Sequence, residues 1–433
     1  MSRRFLLNFA VVFVLLMGLS VSLVAAQEEI TLTWRTRPDN QAEIDVYTAL
    51  SEDVDAMMEG VTLVYQAGGT ETSGYQDTLL TELSAGTAPD VFWIPGADLA
   101  NFASRGVLLN LVDLAAADEA FDSAAFYPQQ IAELTYNPET DSNEGALWGL
   151  PRDASAMALY INKDLFDEAG VDYPADQLAA GTWNWESFKE TAAAISALGD
   201  EVYGFGMNNW WGNWELFINA GGGSYFTEAR DGCALNSPEV ENALTFMRSL
   251  YVDEVAVPYG TDSEPPFVAG NVGMFLNGRW ATPNMLAQVT FNWDVAEVPA
   301  GPAGQSNFLF WGAYVVNANT AHPEKAWELL QYLTSTDAQA RVTALGANLP
   351  SRVSDEAIQA FLDSTPDLSS EVFTTALANY AVAEAPLWKG DFGSINWNTV
   401  EPEITKVLTG EITPADFRAN ICGQIEQYFT ASE

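Results

Sequence analysis

The chain is short of cysteine, histidine and basic residues, and each shortage narrows what it can do. Cys233 and Cys422 are the two cysteines in 433 residues, and their spacing fits no zinc-ligand pattern. An even pair in an exported chain permits a disulfide, two buried free thiols being the alternative. The one histidine, His322, stands in Ala321-His-Pro-Glu324 at a helix start. No Ser-His-Asp set, metal-ligand cluster or phosphate-binding glycine loop can be assembled around it. No cofactor and no metal are expected. With 17 Lys and Arg against 59 Asp and Glu, the formal charge is −42, a field that repels a phosphate backbone over most of the surface. Nucleic acid is not the expected partner, and the acidity reads as a solubilising surface. Beyond the N-terminal segment, no apolar run approaches the ~20 residues of a membrane span.

What is present begins at the N-terminus. A short basic start with Arg3 and Arg4 leads into an apolar core that ends in Val24-Ala25-Ala26 before Gln27. This predicts a secretory signal peptide over 1–26, cleaved after Ala26, and an exported protein of the periplasm or cell surface. An uncleaved N-terminal anchor is the alternative. No Cys follows the small residues, so a lipid anchor is not expected there. The rest of the chain is long enough for two or three units of about 150 residues each, and 48% hydrophobic residues supply cores for them.

The mature chain opens with alternation over Ile30-Thr-Leu-Thr-Trp34, a helical pattern from Asp39 to Met58 and a second alternating run over Val61–Tyr65. Strand, helix, strand predicts a parallel unit. A helix from Gly74 to Ala85, a turn at Gly86–Pro89 and the continuously apolar Val91–Ile94 extend it, the last reading as a buried central strand. Ligands of such sheets bind beyond the carboxyl ends of the strands. The loops to examine are therefore Arg35–Pro38, Gln66–Thr70 and Pro95–Asp98, which carry the candidates Arg37, Thr70, Pro95 and Gly96.

Four stretches resemble the extracellular solute-binding proteins of bacterial ABC importers, in the carbohydrate-binding group that includes maltose-binding protein. They are Tyr75–Asp90 with Leu99–Leu109; Leu147-Trp-Gly-Leu-Pro151 with Leu159–Phe166 and Gly181–Phe188; Phe267–Met274 with Asn277-Gly-Arg-Trp280; and Trp293–Pro299 with His322–Trp327. Each is weakly specific, but together they span nearly the whole mature chain in the family's order. The resemblance implies a two-lobed α/β fold of the periplasmic-binding-protein type II, each lobe an open α/β sheet, joined by a hinge of several crossings. It places lobe one at 27–153 and 299–334 and lobe two at 154–298 and 335–433, with both cysteines in lobe two. It also implies a monomer that takes a small-molecule carbohydrate in the interlobe cleft and hands it to membrane permeases.

The aromatic residues point the same way. Sugars present C–H patches that pack flat on indole rings and hydroxyls that need hydrogen-bond partners, and the chain has 14 Trp. The run Met207-Asn-Asn-Trp-Trp-Gly-Asn-Trp214 reads as a loop and offers Asn209, Trp210 and Trp211. Trp280 and Trp397 align with positions where maltose-binding protein stacks rings on sugar. Trp311, in a strand expected from Phe308 to Val316, is a further candidate, whereas Trp148, Trp183, Trp185 and Trp327 read as core. Asp153 beside the first crossing suits two hydroxyls. Arg35, Arg37, Arg152 and Arg279 fall near the same loops and suit a carboxylate or phosphate, so an acidic sugar or glycerol phosphodiester is the competing ligand. A secreted carbohydrate-active hydrolase is the rival from another class, because sugar-stacking Trp and abundant carboxylates would serve it equally well.

Overall fold

The computed structural model describes residues 30–38, 41–69, 74–384 and 386–430. The expected signal peptide and Thr70 lie outside the described residues. The strands are β1 Ile30–Thr36, β2 Val61–Ala67, β3 Val91–Pro95, β4 Gly149–Pro151, β5 Asp153–Ala154, β6 Met157–Asn162 and β7 Tyr203–Met207, followed by β8 Val272–Gly278, β9 Trp293–Ala296, β10 Asn307–Leu309, β11 Gly312–Val316, β12 Leu349–Pro350 and β13 Ala381–Ala383.

Two sheets organise the chain. The first has the order β2-β1-β3-β11-β4; β1 runs parallel to β2 and β3, while β11 is antiparallel to β3 and β4. In β1 the residues Leu32, Trp34 and Thr36 are buried in alternation, as one covered face of a pleated strand requires. Val91–Ile94 of β3 are all buried, because β3 sits between β1 and β11 with packing on both faces. The second sheet has the order β7-β8-β6-β9. On β6 the odd residues Met157, Leu159 and Ile161 enter one core, and Ala158 and Tyr160 enter another on the opposite face. Each sheet thus has its own apolar core, and together they form a two-lobed α/β fold.

The structure departs from the sequence pattern in instructive places. Strands β1 and β2 run further than their alternation suggests, which brings Arg35 and Gln66 into register within the sheet instead of leaving them in loops. The strand expected from Phe308 to Val316 is two strands in two sheets: β10 pairs with β13, and β11 joins the first sheet. The break at Phe310-Trp311 is where the chain passes from one core to the other. Phe308 and Phe310 belong to the second core, and Trp311 and Tyr314 to the first. The tryptophan-rich run is only partly a loop. Trp211 starts the helix Trp211–Ala220, and Trp214 is fully enclosed.

Backbone hydrogen bonds tie the crossings together. Arg152 N donates to Gly312 O at 2.8 Å, Ser155 N to Phe310 O at 2.7 Å, and Phe310 N back to Ser155 O at 2.9 Å. β5 pairs with β12 across the same region. The helix Thr336–Thr343 packs on the first core through Ala338 and Val342, and Arg341 pairs with Asp53 at 2.6 Å.

Candidate functional site

The crossing at Phe310 gathers aromatic rings from three distant segments. Trp210 precedes the helix Trp211–Ala220, Trp280 follows β8 in a single 3-10 turn, and Phe310 lies between β10 and β11. Their ring centroids stand 5.1 Å (Trp210–Phe310), 5.6 Å (Trp280–Phe310) and 5.7 Å (Trp210–Trp280) apart. Phe310 is buried, whereas Trp210 and Trp280 remain partly exposed. The backbone at Gly278 allows this pose, because a Cβ there would come 2.2 Å from the Trp280 ring. Trp211 turns inward and packs edge-on against Phe308 and Phe392.

The opposite wall comes from the first sheet. Gly96, just after β3, donates its N–H to Trp311 O at 2.9 Å and lies against the Trp311 indole. A Cβ on Gly96 would come 2.5 Å from that ring, so only glycine fits. Pro95 pairs with Gly312 across the ladder. Arg37 stacks its guanidinium 4.6 Å above the Trp93 ring. Its charge faces Asp98, whose carboxyl burial nevertheless pushes up to about 6, against the opposing effects of a hydrogen bond from Gln76 and of Arg37.

The four arginines of the sequence reading separate. Arg35 is held by Glu82 at 2.5 Å and by Gln66. Arg152 pairs with Asp153 at 3.2 Å beneath Tyr47 and Trp93. Burial, the largest single effect, works against its charge, but Asp153 together with Tyr47, Glu43 and Tyr314 outweighs it and raises its pKa well above the usual value. Asp153 also accepts from Gly312 N at 3.0 Å, so its carboxylate fastens one crossing to the next. Arg279 is 0% exposed and turns away from Trp280. Its guanidinium donates to Gly346 O at 2.6 Å, Ser370 Oγ at 2.8 Å and Thr365 Oγ1 at 2.8 Å, and lies over Phe361 and Phe373. Burial without a carboxylate partner lowers its pKa to about 10. The expectation that Arg279 lines the cleft is corrected: its side chain is spent inside the second lobe.

The remaining candidates are scattered. Asn209 accepts from Tyr259 Oη and lies 3.5 Å from Thr405 Oγ1. Trp397 is 49% exposed in the turn of helix Asn396–Val400. Cys233 and Cys422 are joined Sγ to Sγ, linking the segment after Phe226 to the helix Pro414–Ile425.

Between the two walls lies a small cavity that sequence reasoning missed. Trp211, Phe308 and Phe392 form its apolar sides, and Glu215, Glu384 and Arg230 its polar ones. Glu215, on the helix Trp211–Ala220, is 9% exposed, and burial pushes its carboxyl up to about 8 against the influence of Arg230. Burial, with Asp98 nearby, pushes Glu384 well above the carboxylate range, although the N–H groups of Trp311 and Ala97 donate to it. The readable signal for Glu215 was a lone charge inside the apolar run Trp214-Glu-Leu-Phe-Ile218. Glu384, in Ala381-Val-Ala-Glu384, gave none.

Residues 42–340 match the model of the bacterial extracellular solute-binding proteins. A binding protein of Brucella abortus is 28% identical over 387 residues, 87% of this chain and 89% of its own length. The galactooligosaccharide-binding protein of Bacillus subtilis is 21% identical over 382 residues, 80% and 82% of the two lengths. An ABC substrate-binding protein of Listeria monocytogenes, solved in complex with cycloalternan, superposes with a TM-score of 0.80 at 24% identity, covering 92% of this chain and 98% of that one. Two sheets with separate cores, tied by several backbone crossings and enclosing an aromatic cleft, place the chain in the family whose model it matches: it belongs to the bacterial extracellular solute-binding proteins.

Proposed function

We propose that the protein captures a carbohydrate between its lobes and delivers it to the membrane permeases of an ABC importer, acting as an exported monomer that binds and does not cleave. The observation that carries this is the ring cluster of Trp210, Trp280 and Phe310 at the lobe crossing, with two indole faces still partly open. Such rings suit sugar C–H patches. The relatives support it: one is a galactooligosaccharide-binding protein, and another is solved with cycloalternan.

In this reading the hinge is formed by the crossings at 152–156, 309–311 and 344–350. The lobe boundaries expected near Pro299 and Thr334 thereby move later in the chain, because β10 packs with the second core and the helix Thr336–Thr343 with the first. A ligand touching both lobes favours the closed form by its differential affinity. The anionic-ligand alternative loses support because Arg35, Arg152 and Arg279 are engaged within the chain.

A thermal-shift screen against neutral and acidic sugars tests the proposal, since a ligand that binds only the folded state raises Tm. A neutral saccharide that stabilises the protein, with no cleavage products after prolonged incubation, is the expected outcome. Stabilisation by acidic sugars alone, or release of smaller saccharides, would overturn it.

A further inference from the structure

The cavity between the lobes is lined by two carboxyl groups against one guanidinium. Glu215 enters it from the second lobe and Glu384 from the segment after β13. Asp98, from the end of β3, lies close enough to Glu384 to disfavour its ionisation. Against these carboxyls stand Arg230, which lines the cavity and faces both Glu215 and Glu133, and Arg37, which faces Asp98 from its seat on Trp93. Asp391 adds a further negative charge on the Asp98 side, and Tyr225 lies next to Glu215.

Glu215 is the informative member. It is 9% exposed and receives no hydrogen bond from any described residue, yet its carboxyl faces open space walled by Trp211, Phe308 and Phe392. A carboxyl buried without a partner destabilises the fold, so a group that supplies the missing donor from outside is strongly favoured there. Aromatic faces beside a carboxylate attract a cation, because the ring quadrupole and the anion act in the same direction.

We propose, resting on the sugar-capture reading above, that the ligand is a hydroxylated molecule carrying a protonated amine, an amino sugar by class, with its ammonium seated against Glu215 and Glu384 between the aromatic walls. The hydroxyl-bearing remainder lies toward Trp210 and Trp280.

The test is calorimetry of the full mature chain with matched saccharide pairs, each a free amine against its N-acetylated counterpart: glucosamine, its dimer and its trimer. In at least one pair the amine binds ten-fold or more tightly at about pH 7.5, about 1.4 kcal/mol, and its affinity falls steadily as pH drops further below about 8, where Glu215 takes up its proton and the ammonium must displace it. In Glu215→Gln, checked for folding by its melting curve, the ratio within that pair collapses toward one. Equal affinities within every pair that binds overturn the amine assignment and leave sugar capture standing. A panel in which no saccharide of either kind binds removes sugar capture and this assignment together.

Discussion

Arg279 and the Glu215–Glu384 cavity both bury ionisable groups, and they do so in opposite ways. Around Arg279 the chain supplies a carbonyl, two hydroxyls and two aromatic faces, so each end of the guanidinium meets a partner built into the fold. Around Glu215 it supplies apolar rings and one arginine, and no donor from the described residues reaches the carboxyl. A buried charge matched from within holds elements together, here β8 to the helices Asp355–Asp363 and Glu371–Asn379. A buried charge left unmatched lowers the stability of the empty protein and is tolerated where something from outside completes it.

The sharpest way to break this contrast is Arg279→Leu. Loss of the guanidinium strands the Gly346 carbonyl and leaves a poorly filled space, so about 3–5 kcal/mol of stability should disappear in urea melts. A loss under about 1 kcal/mol would mean that Arg279 is no structural clamp.

The second prediction concerns pH. The Glu215 carboxyl ionises near 4.5 when unfolded and near 8 in the fold, so between those values the folded state holds a proton that the unfolded state has lost. Its contribution is therefore full below about pH 4.5, declines as pH rises and is level above about pH 8. Glu133, raised to about 7 by burial, and Asp98, raised to about 6, act in the same direction. The unliganded protein should melt at higher temperature at pH 4.5 than at pH 8. Glu215→Gln should regain ~1–3 kcal/mol at the alkaline end and little at the acid end. A variant less stable than the parent at pH 8 would show that the carboxylate is satisfied after all.

For the cleft rings the expected effects are smaller. Trp280→Ala should weaken saccharide binding at least ten-fold, about 1.4 kcal/mol, without unfolding the protein; unchanged affinity in calorimetry removes Trp280 from the site. Smallest is Trp397→Ala. With half its surface already in water, its loss should move folding stability by no more than about 0.5 kcal/mol while affinity drops severalfold, and a large drop in Tm would assign it to the core.

Much of the first sheet was legible. The alternation of Ile30–Trp34 and Val61–Tyr65 and the apolar block Val91–Ile94 are local signals, and β1, β2 and β3 follow them. The break within Phe308–Val316 was not legible, because both halves are apolar and extended and only their partners, β13 for one and β3 for the other, separate them. Trp210 and Trp211 are neighbours of identical type, yet one remains partly open and the other is buried. The start of the helix Trp211–Ala220 between them sends their side chains in different directions.

From the sequence alone follow the acidic character of the chain, the βαβ opening, the single histidine and a family resemblance spread along its length, all of which rest on composition, order and short-range period. The tertiary structure decided which charges are matched. Arg35, Arg37, Arg152 and Arg279 are equal as letters, but one meets Glu82, one lies over Trp93, one pairs with Asp153 and one is enclosed by oxygens more than 65 positions away. Periodicity is a property of neighbours along the chain, whereas the partner of a buried charge is chosen by whichever segments folding brings around it. For that reason Glu215, a single acidic residue in an apolar run, became visible as a binding feature only once its surroundings were known.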